Sequence, residues 1–569
     1  MRIDWDVPVE MDDGLVLRAD VYRPIEEGQY PVILSYGPYA KNLTFEMGYP
    51  DQWRLMCEEH PDVPAGSTNK YQAWEVVDPE KWVPEGYACV RVDSRGAGRS
   101  PGYLDCFSPR ETKDFFDCIE WAGTQPWSTG KVGLNGISYY AINQWHVATL
   151  QPPHLAAMCA WEGAADWYRD ATHHGGILST FWDRWYPHQV TNVQYGLGER
   201  GPRNPSNGLL IAGDEALSDE ELVRNRGDLG EEILEHPLDD QYHRDRSPEW
   251  EKVVTPLLSA VSLAGHGLHP RGNYEGFLRA ASKKRYLEIH GLEHWTHFYT
   301  DYGRELQLRF FNWYLKGEGD WEERQPRVLR QRRWPGERFE LQEEDEWPFS
   351  RTQWTKLYFD MRDPSELTLT PVQPSGNGSV TYEGLGEGIE FWTPPFEEEI
   401  EWAGPFAAKL FVASEAEDAD LFLVVRMWDP HGEEVVFKGT VDPHTPIAQG
   451  WLRASHRKLD PGLTQEWRPY HTHDETQKLT PGEVYELDVE IWPTGIVIPE
   501  GYRMSLQVRG RDYEYPPALQ QQPKIGWFPL TGSGPFLHDD PRDRPPEVFG
   551  GKVTVHAGSY LLVPVVPPK

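Results

Sequence analysis

The chain has 569 residues, more than the roughly 100–200 of one ordinary domain, so two or three domains, each with its own core, are expected. Asp and Glu outnumber Lys and Arg by 90 to 55; the resulting net charge of −35 repels phosphate backbones and anionic membranes, which excludes nucleic acid and membrane surfaces as expected partners. The N-terminus has no apolar signal core, and no run of about 18 apolar residues is present, so a soluble, cytoplasmic protein is expected.

Along the chain, Leu15–Tyr22 already reads as a strand. Up to about residue 324, β-branched apolar runs alternate with helix-period segments, the pattern of a mainly parallel sheet flanked by helices. The strands are expected at Pro31–Tyr36, Tyr87–Asp93, Lys131–Ile137, Leu155–Trp161, Pro256–Leu263 and Arg285–His290. Helices are expected at Thr112–Thr124, Ala141–Leu150, Tyr274–Ser282 and Gly303–Leu315. Between residues 166 and 253 the rhythm breaks into Trp, His, Pro and charge with short helical patches at Asp219–Arg226 and Gly230–Glu235, which predicts an inserted helical cap over the sheet's carboxyl edge. From residue 325 to 569 short alternating strands dominate (Trp354–Phe359, Ala408–Ala413, Leu421–Trp428, Val484–Ile491, Arg503–Val508), punctuated by turns such as Asp429-Pro430-His431-Gly432. That pattern predicts an antiparallel β-sandwich of jelly-roll type. The acidic runs Glu343–Glu346 and Phe396–Glu401 read as solvated linker or edge segments. The domains expected are thus an α/β unit in two parts, 1–165 and 254–324, the cap at 166–253, and the sandwich at 325–569.

The strongest local signal is Lys131-Val132-Gly133-Leu134-Asn135-Gly136-Ile137-Ser138-Tyr139-Tyr140-Ala141, a buried strand running through a turn into a helix. This arrangement resembles a nucleophile elbow, in which the turn lifts the Ser side chain above the sheet and the helix N-terminus points free N–H groups at a developing oxyanion. The pattern G-x-S-x-G is incomplete, because Tyr140 stands where its second Gly belongs.

Several further segments stand in order around it: Asp93-Ser94-Arg95-Gly96-Ala97-Gly98-Arg99-Ser100, Glu111 to Trp121, Gln125-Pro126-Trp127-Ser128, Gly136-Ile137-Ser138-Tyr139 and Asn143-Gln144-Trp145. Together they resemble the cocaine esterase-like (CocE/NonD) hydrolases, relatives of the X-Pro dipeptidyl-peptidases, over nearly the whole chain. The resemblance implies an α/β-hydrolase domain with a helical cap and a C-terminal jelly roll. It also implies an oxyanion hole made by the N–H of Tyr139 and the hydroxyl of Tyr39, in Tyr36-Gly37-Pro38-Tyr39-Ala40-Lys41; two such donors on one oxygen are chemically sensible, since losing one typically costs about 10²–10³ in rate.

The base of such a hydrolase is a His after the last strand of the sheet. Leu287-Glu288-Ile289-His290-Gly291-Leu292-Glu293-His294-Trp295 and the residues just beyond offer His290, His294 and His297; His290 lies inside the strand as a core residue, and the resemblance implies His294. Family members place an Asp after the preceding strand, where this chain has Gly267 in Ala264-Gly265-His266-Gly267-Leu268-His269, a segment without a carboxylate. Glu162, directly after Leu155–Trp161 and between Ser138 and His294 in the chain, is the expected acid; Glu275 is the runner-up, and Asp166 is expected to anchor the cap.

Other clusters read as structural. His173-His174, His266 with His269, and His471 with His473 lack metal-ligand spacing, and Gly96-Ala97-Gly98 is too short for a dinucleotide fingerprint, so no metal and no cofactor are expected. Cys57, Cys89, Cys106, Cys118 and Cys159 form no CxxC pair and are odd in number, which suits free thiols. Asp93, Arg95 and Ser100 are expected to buttress the elbow. Trp161, Trp167, Trp182 and Trp185 stand where the cap begins; Trp161 and Trp167 are the expected pocket walls.

The reading is a serine hydrolase that cleaves a small-molecule ester or amide through an acyl-enzyme on Ser138, with His294 as general base. An esterase is preferred to an X-Pro dipeptidyl-peptidase because the chain enters its first sheet at once. A binding protein that has lost catalysis, with a carbohydrate- or partner-recognising jelly roll, is the alternative from another class. Broad hydrolase and sandwich surfaces leave self-association into a homo-oligomer open.

Overall fold

In the computed structural model, which describes residues 1–569, the first sheet has ten strands. They are β1 (Arg2–Glu10), β2 (Val16–Arg23), β3 (Tyr30–Gly37), β4 (Ala88–Asp93), β5 (Ser128–Ile137), β6 (Leu155–Trp161), β7 (Leu257–Ser262), β8 (Arg285–His290), β9 (Val328–Trp334) and β10 (Arg338–Glu344). Their spatial order is β1-β2-β4-β3-β5-β6-β7-β8-β9-β10. From β4 to β9 every pairing is parallel, and β4 and β7 are buried along their whole length, as strands with both faces covered must be. The covers include helices α1 (Pro109–Gly123) and α2 (Tyr139–Thr149). The first starts on Ser108, whose hydroxyl accepts from the N–H of Glu111, with Pro109 in the first turn. The second is buried at ten of its eleven residues, so it is apolar nearly all round.

The chain runs from β3 to β4 on one side and then returns to place β5 on the other. In parallel sheets that reversal opens a crevice at the carboxyl ends of the two strands, here just past Gly37 and Ile137. Helix α3 (Phe181–Gln189) of the cap closes over the crevice, while α4 (Pro270–Arg279) and α5 (Asp301–Phe311) complete the α/β unit. The Asp166 side chain caps the wide turn Trp167–Thr172 and pairs with Arg169 at 2.9 Å. No helix is long and apolar enough to cross a membrane, and the five thiols are unpaired.

Two expectations are corrected. The α/β sheet does not stop near residue 324: β9 joins β8 in parallel, with Leu287 opposite Val328, and β10 adds the antiparallel edge. The alternation of charge and apolar residues in β9 and β10 reflects an edge of this sheet rather than a start of the sandwich. The acidic runs are also not merely solvated. Glu344 and Glu401 are buried and converge on Arg330, whose Nε lies 3.0 Å from Glu344, while Arg332 reaches Glu401 at 3.1 Å and Arg351 reaches Glu344 at 2.6 Å. This network ties the sheet's edge to the C-terminal unit.

That unit is an eleven-stranded sheet, mostly antiparallel. Its strands include β11 (Gln353–Asp360), β12 (Ile400–Ser414), β13 (Asp420–Trp428), β14 (Ala448–Arg453), β15 (Val484–Ile498), β16 (Arg503–Arg509) and β17 (Lys552–Val565). Pairing of β11 with β17 closes most of it on itself, which protects edges that an open sheet would expose. Its core gathers Leu421, Leu423 and Val425 with Leu487, Val489 and Ile491. Cap and jelly roll meet through buried histidines: His174 Nδ1 lies 2.7 Å from His538 Nε2. On the jelly-roll side His456 Nδ1 lies 3.0 Å from His473 Nδ1. No group of three or more His, Cys, Asp or Glu side chains is placed to hold a metal.

Candidate active site

Ser138 follows β5 at φ 57°, ψ −114°, the strained left-handed turn that a nucleophile elbow requires. Its own N–H is held by the carbonyls of Trp161 and Glu162 at 3.2 and 3.1 Å, and its carbonyl starts helix α2 by accepting from Ala141 and Ile142. The next residue, Tyr139, opens that helix, so its N–H has no intrahelical acceptor. Tyr140 fits where the elbow pattern wants Gly because glycines surround it. A Cβ on Gly136 would fall 2.4 Å from the Cβ of Tyr140, and one on Gly37 would fall 2.6 Å from its ring.

Tyr39 lies just past β3, on the other lip of the crevice, and its hydroxyl accepts from Trp185 Nε1 of the cap at 3.2 Å. The loop that carries it is pinned by Asp93: Oδ1 accepts from the N–H of Lys41 at 2.6 Å, and Oδ2 pairs with the Lys41 ammonium at 3.1 Å. Ser100 Oγ donates to the carbonyl of Asp93 at 2.7 Å. The loop expected to buttress the elbow thus fixes its opposite lip. The Tyr139 side chain points away from the crevice, donating to the buried carboxyl of Glu111 at 2.6 Å; burial lifts that carboxyl to about 8.

Ser138, Tyr39 and His294 line one cavity. Its walls are aromatic, with Trp74, Phe181, Trp185, Trp527 and Phe536 among them, and Glu75 is the one carboxyl on its lining. Trp161 and Trp167 do not line it, which corrects their expected role. Trp161 is sealed beneath the elbow with its ring stacked on His290 at 5.1 Å, and Trp167 packs against Phe107 and Trp182. Of the four Trp residues at the start of the cap only Trp185 reaches the cavity. Other walls, Trp74 before β4 and Trp527 to Phe536 near the C-terminus, come from segments that carry no pocket signal in the sequence.

His294 is held at both ring nitrogens. Nδ1 lies 2.8 Å from the carbonyl oxygen of Thr440, a residue of the jelly-roll unit. A carbonyl only accepts, so Nδ1 carries the proton, and Nε2 is the basic nitrogen. Nε2 lies 2.8 Å from Oε1 of Glu75. Burial pushes the Glu75 carboxyl up to about 7, against the downward pull of His294.

The expected acid is therefore corrected: Glu162 makes no hydrogen bond to His294. Its Oε1 lies 2.8 Å from His290 Nε2, and His290 Nδ1 lies 2.6 Å from Glu288. Burial alone would depress His290, but Glu288 and Glu162 outweigh it and lift the imidazole to about 10. Glu162 serves the site through its backbone, at φ 55°, whose carbonyl receives the N–H of Ser138. Glu275, the runner-up, pairs with Arg468 at 2.8 Å, and His297 faces Thr300 and Gln331.

The gap at Gly267 has a steric cause. Its φ is +115°, and a Cβ there would stand 2.6 Å from the Cβ of Phe536, while one on Gly265 would meet Thr440 Oγ1 at 1.8 Å. The jelly roll presses into the volume an acid would occupy and offers His294 a carbonyl instead. Neither Thr440 nor Glu75 sits in a motif, so no sequence signal marked them.

Comparison with known proteins agrees with this architecture. Residues 13–299 match the family model described as X-Pro dipeptidyl-peptidase (S15 family), and residues 320–527 match the X-Pro dipeptidyl-peptidase C-terminal non-catalytic domain. The chain is 23% identical to a putative serine esterase of Mycobacterium tuberculosis, over 89% of this chain and 90% of that protein. It is also 23% identical to the cocaine esterase of a Rhodococcus species, with the same coverage. A solved CocE/NonD family hydrolase from Staphylococcus aureus is 30% identical, covers 99% of this chain and 94% of its own, and superposes with a TM-score of 0.83.

Proposed function

The chain belongs to the X-Pro dipeptidyl-peptidase (S15) family and is a serine hydrolase, and from that premise we propose that it cleaves carboxylic esters through an acyl-enzyme on Ser138. The observation that supports this reading is the cavity shared by Ser138, at its strained elbow, with His294 and Tyr39.

In the proposed reaction Ser138 Oγ attacks the ester carbonyl and its proton passes to His294 Nε2, whose tautomer is set by the Nδ1–H bond to Thr440. The carbonyl oxygen, now negative, is received by the N–H of Tyr139 and the hydroxyl of Tyr39. The alcohol leaves with the proton from His294, and water repeats the sequence in reverse to free the acid. The aromatic walls suit an apolar acyl or alcohol group.

Ser138→Ala is expected to abolish hydrolysis of p-nitrophenyl acetate and labelling by an alkyl phosphonate probe. Labelling that persists at the wild-type level in that variant refutes the assignment. Xaa-Pro p-nitroanilides assayed alongside decide between ester and X-Pro amide: a higher kcat/KM for the anilides replaces the esterase reading by the peptidase one.

A further inference from the structure

A triad acid performs two tasks: it fixes the tautomer of the imidazole, and it stabilises the imidazolium that forms when the serine is deprotonated. Here the first task has a holder, the Thr440 carbonyl on Nδ1, which carries no charge. The second has none on that side of the ring, since Gly267 bears no carboxylate and the space beside it is filled by Phe536.

We propose that Glu75 is the positioning residue that takes over the second task, compensating the charge of His294 from the Nε2 side of the ring. The inference rests on the reading of Ser138 and His294 as nucleophile and base. The geometry carries it: Glu75 Oε1 is 2.8 Å from Nε2, the nitrogen that receives the serine's proton. With Nδ1 already protonated, a bare carboxylate and a bare lone pair would repel at that distance, so the contact holds one proton between Oε1 and Nε2. The same contact is the ion pair needed once Ser138 Oγ–H has given its proton to Nε2. Glu75 is also fixed rather than flexible: its backbone stands at φ 63°, its carbonyl receives the N–H of Ile137 next to the elbow, and its side chain is buried.

The proton balance sets the consequence. While the shared proton is present, Nε2 cannot accept from Ser138. When it leaves to solvent, the lone pair becomes available; the serine's proton then passes to Nε2 as the O–C bond forms, and goes on to the leaving oxygen as the ester C–O bond breaks. Glu75 gains and loses nothing over the cycle, but activity rises with pH as the pair gives up its resting proton. The groups facing the pair are Tyr39, Tyr49, Tyr140 and Tyr299 around Glu75, with His269 and Glu162 near His294. Burial keeps the four tyrosines protonated and His269 neutral, and it also raises Glu162.

The test is Glu75→Gln, which keeps the shape and removes the charge. With p-nitrophenyl acetate, kcat is expected to fall about 10–100-fold, the worth of one charge-assisted hydrogen bond, with KM within about threefold of wild type. The acid limb of the kcat/KM profile is expected to move, and Glu75→Asp to restore part of kcat. Wild-type kcat and an unmoved limb in Glu75→Gln overturn the proposal, and so does a rise in KM alone, which would make Glu75 a substrate-binding group. Should Glu75→Gln not fold, nitrogen-15 NMR of labelled histidines in the wild type decides, because the Nε2 proton of His294 must disappear with the midpoint of the acid limb. A midpoint more than about one pH unit away overturns the proposal, since that gap is a tenfold difference in proton affinity. Phosphonate labelling of the wild type is measured in the same preparation: no labelling refutes the site itself, whereas labelling with unaffected Glu75→Gln kinetics refutes only the role of Glu75.

Discussion

Replacing Gly267 with Asp returns a carboxylate to the position where the resemblance places the triad acid, and simple homology would expect it to improve the enzyme. The structure argues the reverse. The backbone at 267 stands at φ +115°, which L-residues rarely adopt, and the new Cβ would lie 2.6 Å from the Cβ of Phe536, well inside ordinary contact. A sparsely populated backbone region costs about 1–3 kcal/mol, and overpacking a filled site costs about 1–3 kcal/mol more. The variant is therefore expected to be destabilised by about 2–6 kcal/mol and to gain no activity, because Thr440 already occupies Nδ1. The assay is the thermal midpoint at one fixed scan rate together with kcat for p-nitrophenyl acetate. A Gly267→Asp protein with an unchanged midpoint and a raised kcat would mean that the loop yields and an acid can enter, refuting the claim that the jelly roll has displaced it.

Tyr39→Phe is expected to lower kcat by about 10²–10³, since it removes one oxyanion donor, and to lower the thermal midpoint, because the buried Trp185 Nε1 loses its acceptor at a cost of about 1–3 kcal/mol; a wild-type kcat would remove Tyr39 from the site. His266 is fully buried, accepts from the N–H of Gln449 and lies 3.0 Å from the Pro493 carbonyl; burial depresses it from 6.5 to about 3. Because the unfolded imidazole takes a proton that the folded one refuses, its contribution is whole above pH 6.5 and is lost as pH falls from 6.5 towards 3. In urea titrations the stability difference between wild type and His266→Gln should then shrink by roughly 1.4 kcal/mol per pH unit below 6.5, and a constant difference would contradict it. Arg330→Met removes the cation that Glu344 and Glu401 share while Arg351 and Arg332 still pair with them, and it is expected to cost about 1–3 kcal/mol by calorimetry; an unchanged stability would mean the network is no more than a surface pair.

The parts of this protein that were legible in its sequence are those whose signal is local. The strands at Leu155–Trp161 and Arg285–His290 match their expected bounds because each is a short strand-type run with a glycine just beyond it, Gly163 and Gly291. The elbow at Ser138 was legible because a buried strand, a turn and a helix start coincide within a few residues. The acid was not, since chain order alone cannot say which imidazole Glu162 faces: β6 and β8 flank β7, and the carboxyl meets His290 on the strand rather than His294 in the loop beyond it. Trp161 and Trp167 failed as pocket walls for a related reason, as an indole beside a site reads the same whether it lines the cavity or supports it from below. Glu75 stands in a long connection between β3 and β4, and its left-handed backbone is a consequence of packing that no propensity announces.

The absence of an acid at 267 and the arrangement of the C-terminal unit belong to one solution. A hydrolase sheet with a carboxylate at that position can orient its histidine alone. Here the loop after β7 is bare glycine at 265 and 267, which lets Thr440 and Phe536 approach closely enough to hold the imidazole and wall the cavity. Thr440 Oγ1 donates to the carbonyl of Gly265 at 3.1 Å, so the contact that positions the base is also a contact that fastens the two units together. Orientation of His294 therefore depends on docking of the jelly roll, and loosening that interface should lower kcat before the α/β sheet itself unfolds. Under mild denaturant, loss of p-nitrophenyl acetate turnover ahead of the loss of helical circular dichroism would follow from this coupling, while simultaneous loss would place the docking and the sheet in one cooperative unit.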